Sequence, residues 1–239
     1  MKAIIGGTGL DHPNGIQVTE RRISTLFGVV PVSIGEGKDT SLVFLARHGS
    51  LHDTPPHLVN YRANIAALKK LGVDALVGVY AVGSITRFLL PGQCAVVADF
   101  LDFASASRQG TFFTGGEAGV RHVAMDQPFD QNLRSTLLAG NPTWKDGGVY
   151  VTTPGPRLET KAEIRAYRAL GADYVGMTLG TEATLAKEAG IAMAAVAYSV
   201  NWAAGVAEEG MAFLSDADAG SLASSLLGAI RTVLLKERI

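Results

Sequence analysis

Short apolar segments alternate along the chain with longer amphipathic ones. The segments Ala75–Val82 and Cys94–Ala98 are apolar without interruption, which is typical of strands covered on both faces of a sheet. Further apolar segments predict strands at Lys2–Ile5, Val29–Ile34, Leu42–Ala46, Val149–Thr152, Tyr174–Met177 and Ala192–Val200.

Helices are predicted between these strands, where apolar residues recur every three or four positions. Thr160 and Glu163 fit a capping box, in which each side chain accepts from the other residue's backbone N–H. The predicted helices are Asn60–Leu71, a helix from Thr160 to about Leu170, Glu182–Ala189 and a last helix that begins near Ser221.

The alternation of strands and helices predicts an α/β fold with a mixed central β-sheet flanked by helices. The 239 residues contain no linker, repeat or low-complexity stretch, so we expect one domain over residues 1–239. The content of 47% hydrophobic and 18% charged residues is typical of a globular protein with a sizeable core.

Charge and composition limit the classes of partner. The formal net charge is −1 without a long basic or acidic run, which argues against nucleic acid and anionic membrane surfaces. No stretch reaches the roughly 18 apolar residues of a membrane helix, and no signal peptide is apparent, so we expect a cytoplasmic protein. The single cysteine, Cys94, is interpreted as a buried strand thiol.

Glycine-rich and polar segments follow the predicted strands. In open α/β sheets ligands bind beyond the carboxyl ends of the strands, so these segments predict one site for an anionic small molecule. The segments are Gly6-Gly7-Thr8-Gly9, Arg47-His48-Gly49, Tyr80-Ala81-Val82-Gly83-Ser84, Pro154-Gly155-Pro156-Arg157, Met177-Thr178 and Asn201.

Each of these segments also has a purely structural interpretation. The glycine loop is equally typical of a tight turn, and it fits neither a dinucleotide fingerprint, which needs Gly at His12, nor a P-loop. Arg47 offers a planar fork for phosphate and His48 a second donor, although such pairs are common on surfaces. Glu159 near a helix start is favoured by the helix dipole, and Asn201 needs partners wherever it is buried.

Three of the five histidines, His48, His52 and His57, lie close together in sequence. Such a cluster is compatible with zinc, but the segment has no cysteine and no helical His-x-x-x-His spacing. We therefore predict no metal site.

Taken in order, the motifs resemble those of the trimeric methylthioadenosine phosphorylase and purine nucleoside phosphorylase family. The resemblance covers nearly the whole chain, and six ordered motifs are together specific. They are Ile5-Gly6-Gly7-Thr8-Gly9-Leu10, Leu45-Ala46-Arg47-His48-Gly49, Pro55 to Ile65, Gly155-Pro156-Arg157-Leu158-Glu159-Thr160, Gly176-Met177-Thr178 and Leu185 to Gly190.

The resemblance implies phosphorolysis of a purine nucleoside, with phosphate as co-substrate, no cofactor and no metal. Asn201, His48 and Arg47 are then the catalytic candidates. Phosphate would be held by Thr8, Arg47, His48, Tyr80, Ala81 and Thr178, the base by Glu159, Asn201 and Leu158, and the ribose with its 5′ group by Met177, His122 and Leu214.

The resemblance also indicates the base and the 5′ group. Adenosine-type members carry Asp at the position of Asn201 and lack Glu159, so this pair favours a 6-oxopurine. Inosine and guanosine enzymes place a histidine after the base-binding Asn, and this chain has no histidine beyond His122. An apolar surface at Leu214 suits a methylthio group, and His122 is expected to reach a neighbour's pocket in a homotrimer.

Tyr80 departs from the family, which has a small polar residue there. Its ring either packs into a local gap, donates a hydrogen bond to phosphate, or crowds the site. The last two interpretations predict a raised KM for phosphate that Tyr80→Thr would lower.

Methylthioinosine is the expected substrate, and four alternatives remain open. They are an inosine or guanosine phosphorylase, a methylthioadenosine phosphorylase, a hydrolase that uses water in place of phosphate, and a non-catalytic nucleoside-binding protein.

Overall fold

A large mixed β-sheet organises the protein, whose computed structural model describes residues 1–13, 15–116, 119–208 and 210–236. Over these residues the domain contains eleven strands, five α-helices and short 3₁₀ turns. The strands are β1 (Lys2–Gly6), β2 (Val18–Thr25), β3 (Gly28–Gly35), β4 (Leu42–Ala46), β5 (Ala75–Ser84), β6 (Cys94–Val96), β7 (Asp99–Asp102), β8 (Lys145–Asp146), β9 (Val149–Thr152), β10 (Tyr174–Gly176) and β11 (Ala192–Trp202). The helices are α1 (Tyr61–Lys70), α2 (Gln131–Gly140), α3 (Lys161–Ala169), α4 (Leu179–Glu188) and α5 (Asp216–Lys236).

Strand β5 is the centre of the sheet. It pairs in parallel with β1 on one side and with β11 on the other, while β10 runs antiparallel to its last residues. The main path is β2-β3-β4-β1-β5-β10-β9-β7, and β11 continues to β6 and β8. Because β1, β4, β5 and β11 are mutually parallel, their carboxyl ends meet at one edge of the sheet.

The core lies on both faces of this sheet. On β5, Leu76 and Tyr80 face the cluster that includes helices α1 and α4, whereas Val77 and Val79 face the cluster that includes α2 and α5. All four side chains are buried, which explains why the strand is apolar from Ala75 to Val82.

Side-chain caps define where the helices begin. The Asn60 side chain accepts from Ala63 N and precedes α1. Before α3, the predicted capping box is present: Thr160 accepts from Glu163 N, and the Glu163 carboxylate accepts from Thr160 N. The α/β fold with helices around a mixed sheet, as expected from the sequence, is confirmed.

Several boundaries differ from those predicted. The strand predicted at Cys94–Ala98 ends at Val96, and α4 begins at Leu179, three residues before the predicted start. The last helix begins at Asp216 rather than near Ser221, because the Ser215 hydroxyl accepts from Asp218 N and caps a polar first turn.

Strands β2, β7 and β8 and helix α2 were not predicted. The sequence of β2, Val-Thr-Glu-Arg-Arg-Ile-Ser-Thr, is largely polar because this edge strand is mostly open to solvent. Helix α2 buries only Leu133 and Leu137, too few for a clear helical period. Among the described residues, no helix is both long and apolar enough to cross a membrane.

Candidate active site

A cavity of about 630 Å³ opens at the edge of the sheet where the parallel strands end. Its walls come from the segments that follow β1, β4, β5, β9, β10 and β11, as the sequence predicted. The predicted site residues that line it are Thr8, Arg47, His48, Tyr80, Ala81, Leu158, Glu159, Met177, Thr178, Asn201 and Leu214.

The first wall is the glycine loop after β1. A Cβ atom on Gly7 would lie 2.5 Å from Nη1 of Arg47, so glycine is required for the backbone to pass this guanidinium. Gly9 has φ +75, and the Tyr198 hydroxyl donates to the Thr8 carbonyl. The loop is therefore held close to Arg47 while the Thr8 side chain stays exposed.

Arg47 forms a buried ion pair with Glu182. Its Nε and Nη2 donate to the two carboxylate oxygens at 2.6 and 2.8 Å, and Nη1 donates to the Val79 carbonyl at 3.0 Å. Burial alone would lower the pKa of Arg47, but the charge and hydrogen bonds of Glu182 raise it, so the guanidinium stays charged.

Tyr80 packs beneath Arg47. Its ring centroid lies 4.5 Å from the guanidinium carbon, and its hydroxyl donates to Glu182 Oε2 at 2.7 Å. The ring covers Gly78, where a Cβ would lie 2.2 Å from the hydroxyl. The phenol is thus engaged with Glu182, which favours the interpretation that the ring packs into a local gap. The expected donation to phosphate and the crowding of the site stay predictions, because Tyr80 also lines the cavity.

The tautomer of His48 follows from one contact. Its Nδ1 lies 2.9 Å from the Thr54 carbonyl, which only accepts, so Nδ1 carries the hydrogen and Nε2 of the neutral ring is an acceptor. Burial, followed by the charge of Arg47, lowers the pKa of His48 to about 4. At neutral pH the ring is therefore neutral, with Nε2 as a free acceptor. The donor role toward phosphate expected from the sequence stays a prediction.

Thr178 lies at the N-cap of α4, where the helix dipole favours an anion. Its side chain is buried and forms no capping hydrogen bond to the helix. Its backbone N–H donates to the Tyr150 hydroxyl at 3.4 Å. The Thr178 hydroxyl is therefore positioned beside the cavity without being needed by the helix.

Glu159 and Asn201 form a polar part of the lining. One Glu159 oxygen accepts from the Thr153 hydroxyl at 2.6 Å, which leaves the second oxygen for a ligand. Asn201 is buried, and its side-chain N–H donates to the Trp202 carbonyl at 2.8 Å. An amide nitrogen has two hydrogens, so one remains for a ligand.

An apolar part of the lining is formed by Met177, Met211, Phe213 and Leu214. The cavity lining, as far as the chain is described, does not include His122, which is exposed. Its expected role in a neighbour's pocket stays a prediction.

Arg108 is a buried residue that the sequence did not indicate. Its guanidinium donates to the Thr153 carbonyl at 3.1 Å and to the carbonyls of Pro154 and Met177. It therefore ties the Glu159 segment to the Met177 segment. Glu182 was also missed, although a carboxylate in the first turn of α4, between Leu179 and Leu185, was a usable signal.

In the described ranges, no group of three or more His, Cys, Asp or Glu side chains is placed to hold an ion. The rings of His48 and His52 are tilted by 49° with centroids 5.1 Å apart, and His52 Nδ1 lies 2.8 Å from an Asp11 carboxylate oxygen.

Known proteins resemble this chain in both sequence and fold. Residues 3–235 match the family described as the phosphorylase superfamily. The 6-oxopurine nucleoside phosphorylase of Pyrococcus furiosus is 42% identical over 214 residues, which cover 85% of this chain and 80% of the relative. A probable S-methyl-5′-thioinosine phosphorylase of Methanothermobacter thermautotrophicus is 44% identical over 209 residues, covering 86% and 73%.

Among solved structures, the methylthioadenosine phosphorylase of Schistosoma mansoni in complex with adenine superposes with a TM-score of 0.85. It is 30% identical, and the match covers 98% of this chain and 89% of that one. The chain belongs to the phosphorylase superfamily. Within it, the protein is an enzyme of the phosphorylase type that transfers a pentosyl group.

Proposed function

We propose that the protein cleaves a 6-oxopurine nucleoside with phosphate, and that 5′-methylthioinosine is its preferred substrate. The products are hypoxanthine and 5-methylthioribose 1-phosphate. The observation that carries the proposal is the pairing of Glu159 and Asn201 in one cavity whose other walls suit phosphate and an apolar group.

The base preference follows from donors and acceptors. A 6-oxopurine presents a donor at N1 and acceptors at O6 and N7, which complement the free Glu159 oxygen and the free Asn201 N–H. Adenine presents an acceptor at N1, which would face the carboxylate without a hydrogen bond. Mispaired polar groups at a buried edge are strongly disfavoured.

Catalysis would then combine positioning with electrostatic stabilisation. A phosphate oxygen bonds to C1′ as the bond from C1′ to N9 breaks, and negative charge develops on the departing purine. Asn201 would donate to N7 as that charge grows. Arg47, Thr8, Thr178 and the Ala81 backbone would hold the phosphate, while His48 accepts from its hydroxyl.

The 5′ end of the substrate is assigned to the apolar lining. Leu214, Phe213 and Met211 offer no hydrogen-bond partner for a 5′-hydroxyl, whereas a methylthio group would bury apolar surface against them.

In a homotrimer, His122 of a neighbouring chain would complete this end. We expect a trimer in solution, and His122→Ala should raise the KM for methylthioinosine; a fully active monomer would contradict this.

A comparison of kcat/KM for methylthioinosine, methylthioadenosine, inosine and guanosine tests the proposal. Methylthioinosine should be used best, and Asn201→Asp should shift preference toward the adenine compounds. A wild-type enzyme that prefers methylthioadenosine would overturn the base assignment. Base release at an equal rate in phosphate-free buffer would instead indicate a hydrolase.

A second candidate is a phosphorylase for inosine and guanosine, which the name of the Pyrococcus relative favours. The same comparison distinguishes it, since that enzyme would use inosine at least as well as methylthioinosine. The cytoplasmic location expected from the sequence stays a prediction.

A further inference from the structure

A network of three buried side chains underlies the part of the cavity assigned to phosphate. Glu182, in the first turn of α4, has no exposed surface. Its two oxygens accept from Arg47 at 2.6 and 2.8 Å, and Oε2 also accepts from the Tyr80 hydroxyl at 2.7 Å. The Val79 carbonyl binds Nη1, so the guanidinium is fixed along two edges.

The network leaves part of Arg47 for a ligand. A guanidinium has five N–H groups, and three of them are used by Glu182 and Val79. One N–H therefore remains on Nη1 and one on Nη2. Both nitrogens belong to a side chain that lines the cavity beside Gly7.

We propose that Glu182 and Tyr80 are positioning residues for phosphate, which they serve by fixing the guanidinium of Arg47; this inference rests on the proposed phosphorolysis. A buried arginine without its carboxylate would turn toward any other anion or acceptor. Held in one plane, its two remaining N–H groups are ready for phosphate oxygens without reorganisation. Tyr80 contributes by holding Oε2, so it acts through Glu182.

Two variants test this by their effect on phosphate binding. Tyr80→Phe removes one hydroxyl and keeps the ring, so the KM for phosphate should rise about three- to tenfold. In Glu182→Gln the amide nitrogen would face an Arg47 donor or the Tyr80 hydroxyl, and the rise should be about 10- to 150-fold. In both variants, kcat at saturating phosphate should change less than KM.

Matched controls exist elsewhere in the chain. Asp39, which is buried, forms a two-bond ion pair with the partly buried Arg231, at 2.8 and 2.7 Å, outside the cavity lining. Tyr174 is buried and its hydroxyl donates to the Gly147 carbonyl at 2.9 Å. Asp39→Asn and Tyr174→Phe should therefore leave the KM for phosphate unchanged, even if they lower stability.

The double variant tests whether Tyr80 acts through Glu182. Tyr80→Phe with Glu182→Gln should raise the KM for phosphate no further than Glu182→Gln alone. If Glu182→Gln does not fold, Tyr80→Phe alone tests the inference, because an unchanged KM for phosphate in that variant would overturn it. Equal changes in Tyr80→Phe and Tyr174→Phe also overturn it. Failure of the proposed function would appear separately, as wild-type turnover that does not depend on phosphate.

Discussion

Replacing Glu159 with glutamine should reduce the preference for 6-oxopurines. The Thr153 hydroxyl donates to one Glu159 oxygen at 2.6 Å and would donate equally to the amide oxygen of glutamine. The amide nitrogen would then face the cavity, where it can donate to adenine N1 but repels the N1–H of hypoxanthine. The substitution therefore exchanges an acceptor for a donor at one position of the base edge.

The size of the effect follows from one charge-assisted hydrogen bond. Such a bond contributes about 1.5–3 kcal/mol, which corresponds to about 10- to 150-fold in kcat/KM. Glu159 is only partly buried, so water screens the contact and the lower end applies. We expect the ratio of kcat/KM for methylthioinosine to that for methylthioadenosine to fall about tenfold. Asn201 remains, so the preference should weaken without full reversal.

The assay measures both substrates at one saturating phosphate concentration by the absorbance change on base release. Glu36→Gln is the matched control, because Glu36 also accepts from a threonine hydroxyl, that of Thr19, at 2.6 Å and lies outside the cavity lining. An unchanged ratio in Glu159→Gln would refute the argument that this carboxylate accepts from N1.

Three further predictions concern phosphate, pH and helix capping. Tyr80→Thr should raise the KM for phosphate, because it removes the hydrogen bond to Glu182; a lowered KM would restore the crowding interpretation. Burial lowers the pKa of His48 to about 4, whereas an ordinary histidine in the unfolded chain has a pKa of about 6.5. Between these two pH values the unfolded chain binds more protons than the folded protein. The free energy of unfolding therefore falls as the pH drops from about 6.5 to about 4. In phosphate-free buffer, the free energy of unfolding measured with urea should therefore fall less between pH 7 and pH 4.5 in His48→Gln than in wild type. Thr160→Ala should lower the free energy of unfolding by about 0.5–2 kcal/mol through loss of the capping box, while Thr160→Ser should not.

The location of the site could be predicted from the sequence because two simple patterns coincide. Strands covered on both faces are apolar throughout, so their ends are visible where glycine or polar residues begin, as at Gly6 and Arg47. Parallel strands then bring those ends together at one edge. No such pattern marks the edge strand β2, whose polar residues face solvent and which the sequence did not reveal.

The hydrogen-bond and ion-pair partners of individual side chains could not be predicted from the sequence. Arg47 and Glu182 are 135 positions apart, and they meet only because β4, β1 and β5 are adjacent and α4 packs against that part of the sheet. The acceptor role of His48 likewise depends on the Thr54 carbonyl, which no residue type encodes. Residue identity indicates what a group can do, and the fold decides which of its atoms remain free.

Two tyrosines near the proposed phosphate site show how the fold determines which partner a hydroxyl group reaches. The Tyr80 ring covers Gly78, and the Tyr150 ring lies against Gly176; a Cβ on either glycine would come within 2.2 Å and 2.0 Å of the respective hydroxyl. Each phenol thus depends on a glycine to reach an inward partner, Glu182 in one case and the backbone N–H of Thr178 in the other. A tyrosine at position 80 is accommodated because Gly78 supplies space and Glu182 supplies an acceptor. By the same reasoning, Gly78→Ala should displace the ring and raise the KM for phosphate even though its side chain would touch no ligand.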